Sequence, residues 1–143
     1  MMIKQVSLFL ENKNGSLAHV CKIMGEEKIN IRALSIADTT DFGVLRLIVN
    51  DPDSAVAKLK EKDFLAGITE GVGIKVPDKP GSLSAVLEKL ETEGVAVEYM
   101  YAFYEDSQKK AMVILRLSDN EKGVRAIESL NLEFLTEEEA YKG

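Results

Sequence analysis

The sequence predicts an α+β chain in which one β-α-β-β-α-β unit is written twice, over residues 1–70 and 71–143. Three observations carry this. First, a six-residue segment recurs: Asn12-Lys13-Asn14-Gly15-Ser16-Leu17 returns 66 residues later as Asp78-Lys79-Pro80-Gly81-Ser82-Leu83. Second, each segment runs into the same apolar spacing. Leu17, Val20, Cys21 and Met24 fall at i, i+3, i+4 and i+7, and Leu83, Val86, Leu87 and Leu90 repeat that pattern, which is one helix stripe written twice. Third, Ile29-Asn30-Ile31 matches Val95-Ala96-Val97, and Leu45-Arg46-Leu47 matches Leu115-Arg116-Leu117 after a short polar insertion around residues 105–110.

The elements follow in order. Lys4 to Leu10 alternates as a strand. Ser16 is placed to cap a helix running to about Glu27. Ile29 to Ala37 is a β-branched strand, Thr39-Thr40-Asp41-Phe42-Gly43 a hairpin turn, and Val44 to Asn50 the return strand. Pro52 suits the first turn of a second helix whose core face holds Val56 and Leu59. A last strand is expected near Phe64 to Thr69. In the second copy the strands are Val72 to Val76, Val95 to Phe103, Met112 to Leu117 and a final one near Glu133 to Leu135. The helices are Ser82 to Glu93 and about Asn120 to Leu130. Gly94 stands where a helix end wants a left-handed residue, and Lys28 stands at that place in the first copy. Gly67, Gly71 and Gly73 mark the join.

Composition narrows the functional classes. The chain has 143 residues, 45% hydrophobic and 29% charged, with a formal net charge of -6. That balance argues against nucleic acid, whose phosphates call for a basic face, and against an anionic membrane surface. No apolar run approaches the ~18 residues of a membrane span, and no secretory signal is visible. One cysteine and one histidine form neither a disulfide nor a metal cluster of the usual kind, so no metal or cofactor is expected and the cytosol is the default compartment.

The repeated glycine loop is the candidate site. It joins the first strand of each unit to a helix N-terminus, where unpaired N–H groups and a partial positive charge receive an anion such as a carboxylate. Gly15 and Gly81 let backbone and ligand approach closely. Ser16 and Ser82 offer a cap or a hydroxyl. Asn12, Asn14 and Asp78 can accept from an ammonium group. A free α-amino acid carries both charges in one small unit. A Gly-Ser-Leu step before a helix is also, in many proteins, only a turn, a cap and a core residue.

Asn-Lys-Asn-Gly-Ser-Leu and Asp-Lys-Pro-Gly-Ser-Leu, each followed by a helix and an Ile-Asn-Ile-like strand, resemble the ACT domain signature. Nearly the whole chain is similar to a tandem ACT-domain protein with no attached enzyme. The resemblance implies a ferredoxin-like fold per unit, with antiparallel sheets and helices on one face. It implies amino-acid binding at interfaces between ACT units, hence a homo-oligomer such as a dimer and a possible regulated protein partner. Residue by residue it nominates Asn12, Asn14, Gly15, Ser16, Leu17, Asn30 and Ile31 in the first unit, and Asp78, Pro80, Gly81, Ser82, Leu83 and Val97 in the second. The copies depart from the family pattern differently: the first has Asn14 where the family usually has Pro, and the second has Ala96 in place of Asn30. The amide of Asn30 has two roles open to it, contact with a ligand or satisfaction of a nearby backbone group.

Other residues read more plainly. Cys21 lies in the apolar stripe and is expected buried and inert, and His19 is a surface or edge histidine. Tyr99, Tyr101 and Phe103 share one strand face, suited to core or interface packing, with a side-chain wall for a ligand or a subunit contact as the alternative. Glu137-Glu138-Glu139 reads as solvated surface. Three functions compete: an amino-acid-binding regulatory protein without catalysis, a ligand-free assembly adaptor, and an acyl-phosphate hydrolase. The last needs an arginine at the anion loop, and Arg32, Arg46, Arg116 and Arg125 all lie outside it.

Overall fold

The computed structural model describes residues 2–11, 13–38, 41–105 and 109–142. The elements are β1 (Met2–Glu11), α1 (Ser16–Glu26), β2 (Ile31–Asp38), β3 (Phe42–Val49), α2 (Pro52–Glu61), β4 (Ala66–Pro77), α3 (Ser82–Thr92), β5 (Val97–Glu105), β6 (Lys110–Leu117), α4 (Asn120–Glu128) and α5 (Glu137–Lys142). They fall into two compact units. One holds residues 4–69 and takes in the chain from Glu138 onward; the other holds residues up to Ile3 together with Glu70–Glu137.

In the first unit the strand order is β2-β3-β1-β4. Strand alternation puts Val6, Leu8 and Leu10 on one face, opposite Leu47, Leu45 and Gly43 of β3. That face meets Val20, Ile23 and Met24 of α1 and Ala55, Val56 and Leu59 of α2 in one core. In the second unit the order is β4-β6-β5. Val72, Ile74 and Val76 of β4 pack with Val86 and Leu90 of α3 and Ala126 and Ile127 of α4.

The pairing corrects the alignment of the two copies. Val6 stands opposite Leu47 and Val72 opposite Leu115, so the counterpart of Leu47 is Leu115 rather than Leu117. An offset of 66 residues before the hairpin therefore becomes 68 after it. The tripeptide Leu-Arg-Leu recurs in sequence, but two residues out of structural register. The Thr39-Thr40 part of the first hairpin and residues 106–108 of the second lie outside the described residues.

Two further corrections concern the join and the C-terminus. The strands expected near Phe64 to Thr69 and Val72 to Val76 are one uninterrupted strand, β4. Its glycines make room rather than turns: a Cβ on Gly73 would lie 2.7 Å from Ile3 Cγ1 and 2.9 Å from Leu135 Cβ. The strand expected near Glu133 to Leu135 is reduced to a single antiparallel bridge between Ile74 and Phe134. Glu137-Glu138-Glu139, read as solvated surface, opens helix α5, where Glu137 and Glu138 are exposed as expected and Glu139 is half-buried. Arg32 Nε donates to the Ala140 carbonyl at 3.3 Å, and Tyr141 Oη accepts from the Lys4 amide at 2.8 Å. Ala140 is fully buried, and so is Ile48, which strand alternation turns away from the core between Leu47 and Val49.

Candidate functional site

The two glycine loops have the same geometry. Lys13 N–H donates to the Glu11 carbonyl at 2.8 Å and Ser16 N–H to that of Lys13 at 3.3 Å; Lys79 to Pro77 and Ser82 to Lys79 follow at 2.9 and 3.3 Å. Gly15 sits at φ 89° and ψ -8°, and Gly81 at φ 87° and ψ -12°. Both are left-handed, a conformation that a side chain at Cβ opposes. The glycine itself is the N-cap in each helix, and no side chain caps either one. Ser16 and Ser82 are therefore the first helical residues rather than caps. Ser82 Oγ is buried without a hydrogen-bond partner among the described residues.

The surroundings of the loops differ. The first borders a cavity of about 460 Å³, lined at one end by Asn14, Gly15, Ser16 and His19 and elsewhere by Phe9, Phe42, Phe64 and Leu65, with Glu11, Lys13, Lys62 and Asp63 among its walls. The size suits a small-molecule site. The apolar wall is strongly solvated for its type: Phe9 and Phe42 are 52% exposed and Leu65 is 71% exposed. His19 meets the Phe64 ring edge-on with centroids 5.6 Å apart, so this exposed histidine is part of the cavity. Leu17 lines a smaller adjoining cleft with Ile36 and Gly43.

The structure separates the nominated residues. Asn14, Gly15 and Ser16 come together at the cavity; Asn12 lies outside the described residues. Asn30 and Ile31 stand at the start of β2, whereas Glu11, which leads into the loop, pairs with Phe42 beside the far end of β2. An eight-residue strand spans roughly 25 Å, so they do not meet the loop of their own unit. The Asn30 backbone N–H donates to Asn50 Oδ1 at 2.9 Å, and Ala96 N–H donates to Ser118 Oγ at 3.0 Å at the matching place. Asn50 and Ser118 thus satisfy the backbone there. In the second unit Asp78, Pro80 and Gly81 are exposed, Leu83 is half-buried, and Val97 pairs with Leu117 at the start of β5. Cys21, expected buried, is half-buried.

Sequence reasoning did not find Phe9, Phe42, Phe64, Leu65, Lys62 or Asp63. They come from three separate segments, and a single signal was available: Phe9 sits among strand residues on the face turned away from Leu8 and Leu10. At the position of the apolar wall the second unit carries ion pairs. Glu133 accepts from Lys75 Nζ at 3.4 Å and from Lys110 Nζ. Those two hydrogen bonds, then the charges of the same two ammonium groups, hold the exposed Glu133 carboxyl below its ordinary value.

Among the described residues no helix is long and apolar enough to cross a membrane. A family model described as an ACT domain pair matches residues 1–142. The chain is similar to a solved protein from Bacteroides thetaiotaomicron, at 43% identity and a TM-score of 0.92, covering 100% of this chain and 98% of that one. It shares its fold with the ligand-free regulatory subunit of aspartate kinase from Thermus thermophilus (13% identity, TM-score 0.63, 90% and 92% covered). The same holds for that subunit from Thermus flavus (14% identity, TM-score 0.60, 88% and 90% covered). No curated protein matches the sequence. Two copies of one loop, helix and strand arrangement, matched along almost their whole length by a single model, place this chain in the ACT domain pair family.

Proposed function

We propose that the chain is a regulatory protein that binds a free amino acid at the Gly15 loop and passes that signal on through its contacts with another protein. The cavity beside the α1 N-terminus carries the proposal. Helix-end amides and Lys62 suit a carboxylate, Asp63 and Glu11 suit an ammonium group, and the phenylalanines suit a side chain. None of the four arginines lines this cavity. Arg32 and Arg116 donate instead to the carbonyls of Ala140 and Glu70, which favours binding over acyl-phosphate hydrolysis.

The site is completed in this reading by a second copy. β2 is an edge strand of its unit and presents Leu34 at 45% and Ile36 at 49% exposure. Antiparallel pairing of two such edges sets the start of one β2 beside the end of the other. Asn30 and Ile31 of one copy then approach the Gly15 loop of its neighbour. The same exposed edge favours a second reading, a dimeric adaptor that assembles without ligand.

A thermal-shift panel of the twenty amino acids tests the function. A ligand at 100 times its dissociation constant adds about 2.7 kcal/mol of stability, and Gly15→Ala should remove the shift. No response to any amino acid overturns the proposal. Sedimentation with and without the active amino acid separates the two readings, since an adaptor dimerises equally in both.

A further inference from the structure

The duplication allows the two cradles to be compared wall by wall, because the same backbone hydrogen bonds fix the correspondence. Phe9 N–H donates to the Leu65 carbonyl at 3.2 Å, and Lys75 N–H donates to the Glu133 carbonyl at 2.8 Å. Glu11 stands opposite Phe42, and Pro77 stands opposite Lys110. The wall positions held by Phe9, Phe42 and Leu65 in the first unit are thus held by Lys75, Lys110 and Glu133 in the second.

The chemistry is inverted at all three places. The first set is apolar and at least half exposed. The second is an ion-paired cluster in which Glu133 joins both lysines, with Lys75 only 8% exposed. Several polar groups at the first cavity change as well. His19 corresponds to Ala85. Lys62 and Asp63, which end α2 with a left-handed residue at φ 67°, correspond to Leu130 and Asn131 at φ 57°.

We propose that the first unit alone takes the ligand, one per chain, and that the ligand is an amino acid with a large apolar side chain, aromatic or branched aliphatic. This rests on the amino-acid reading above and narrows it. Exposed phenylalanine and leucine around a cavity gain by being covered with apolar surface. A small or charged side chain leaves that surface wet or is itself desolvated against it. In the second unit the loop geometry survives, but the Lys75–Glu133–Lys110 cluster occupies the wall and satisfies its own charges. At those three positions an apolar side chain would meet ion-paired groups rather than phenylalanine and leucine.

Calorimetry on the full chain with L-phenylalanine, L-leucine, glycine, L-alanine, L-aspartate and L-lysine tests this. The expected result is one equivalent of L-phenylalanine or L-leucine per chain, bound at least about tenfold more tightly than the others. Leu65→Glu installs the second unit's residue at a 71% exposed position that tolerates it, and should abolish the heat; Gly81→Ala should leave it unchanged. Preference for glycine, aspartate or lysine that is still lost in Leu65→Glu overturns the ligand class while leaving the amino-acid reading intact. Two equivalents per chain overturn the single site, and binding that survives Leu65→Glu overturns its placement. No heat with any of the six, together with a silent panel of all twenty, removes both proposals.

Discussion

Lys28 shows how a duplicated fold tolerates unequal residues. The C-terminal ends of α1 and α3 are built alike, with Ile29 N–H reaching the Met24 carbonyl at 2.8 Å and Val95 N–H that of Leu90 at 2.9 Å. Both need a left-handed residue, at φ 57° for Lys28 and φ 73° for Gly94. Glycine adopts this freely, whereas a residue with a Cβ is strained by about 1 kcal/mol. Lys28→Gly should therefore raise stability by about 1 kcal/mol, read from the urea midpoint at unchanged slope. Glu133 predicts a pH effect. Its folded carboxyl titrates below its ordinary value of 4.5 because Lys110 and Lys75 bind the charged form. That stabilisation is complete above the unfolded value and is lost as pH falls through the lower folded one. Melting curves of the native chain and Glu133→Gln should differ at neutral pH and converge below the ordinary carboxylate range. These residues were only partly legible. Gly94 announces its conformation through composition, while Lys28 could be suspected only from the repeat. Lys75 and Glu133 lie 58 residues apart, and no local pattern joins them.

At the scale of elements, caps divide into two kinds. α1 and α3 start on a left-handed glycine that leaves the first turn uncapped by any side chain. α2 and α4 start on Asp51 and Asp119, whose carboxylates accept from Ser54 N–H at 3.1 Å and Lys122 N–H at 3.0 Å. The helices beside the loops thus leave their N-terminal amides to other partners, and the remote ones satisfy theirs internally. Asp51→Ala should cost about 1 kcal/mol in chemical denaturation, with the response to any bound amino acid unchanged. Every helix with a 3.6-residue stripe was readable, because periodicity encodes the face that a core must cover. α5 was not, since a six-residue helix has too few turns to show a stripe, and its acidic run resembles surface. The continuity of β4 was hidden by Gly67, Gly71 and Gly73. Glycine signals a turn and a tight contact alike, and only Gly73 with Ile3 and Leu135 against it shows which applies here.

For the molecule as a whole, the β-α-β-β-α-β repeat was legible because a duplicated chain displays its own alignment. The apolar cavity was not, because its walls come from β1, β3 and the segments after β1 and α2. The repeat in sequence and the units in space also have different boundaries. Residues from Glu138 onward belong with the amino-terminal unit, and the first three with the other. A fragment of residues 1–70 therefore lacks α5 and the partners that Arg32 and Lys4 find there. It should show poorly dispersed amide resonances or aggregate, whereas the same fragment supplied with a tethered copy of residues 136–142 should recover a cooperative melt. Biosynthesis gives this a consequence of its own. The amino-terminal half leaves the ribosome well before α5, the piece that finishes it, is translated. An amino-acid response that depends on this half thus waits until α5 has been made, so a product truncated ahead of α5 is silent rather than a half-functional competitor.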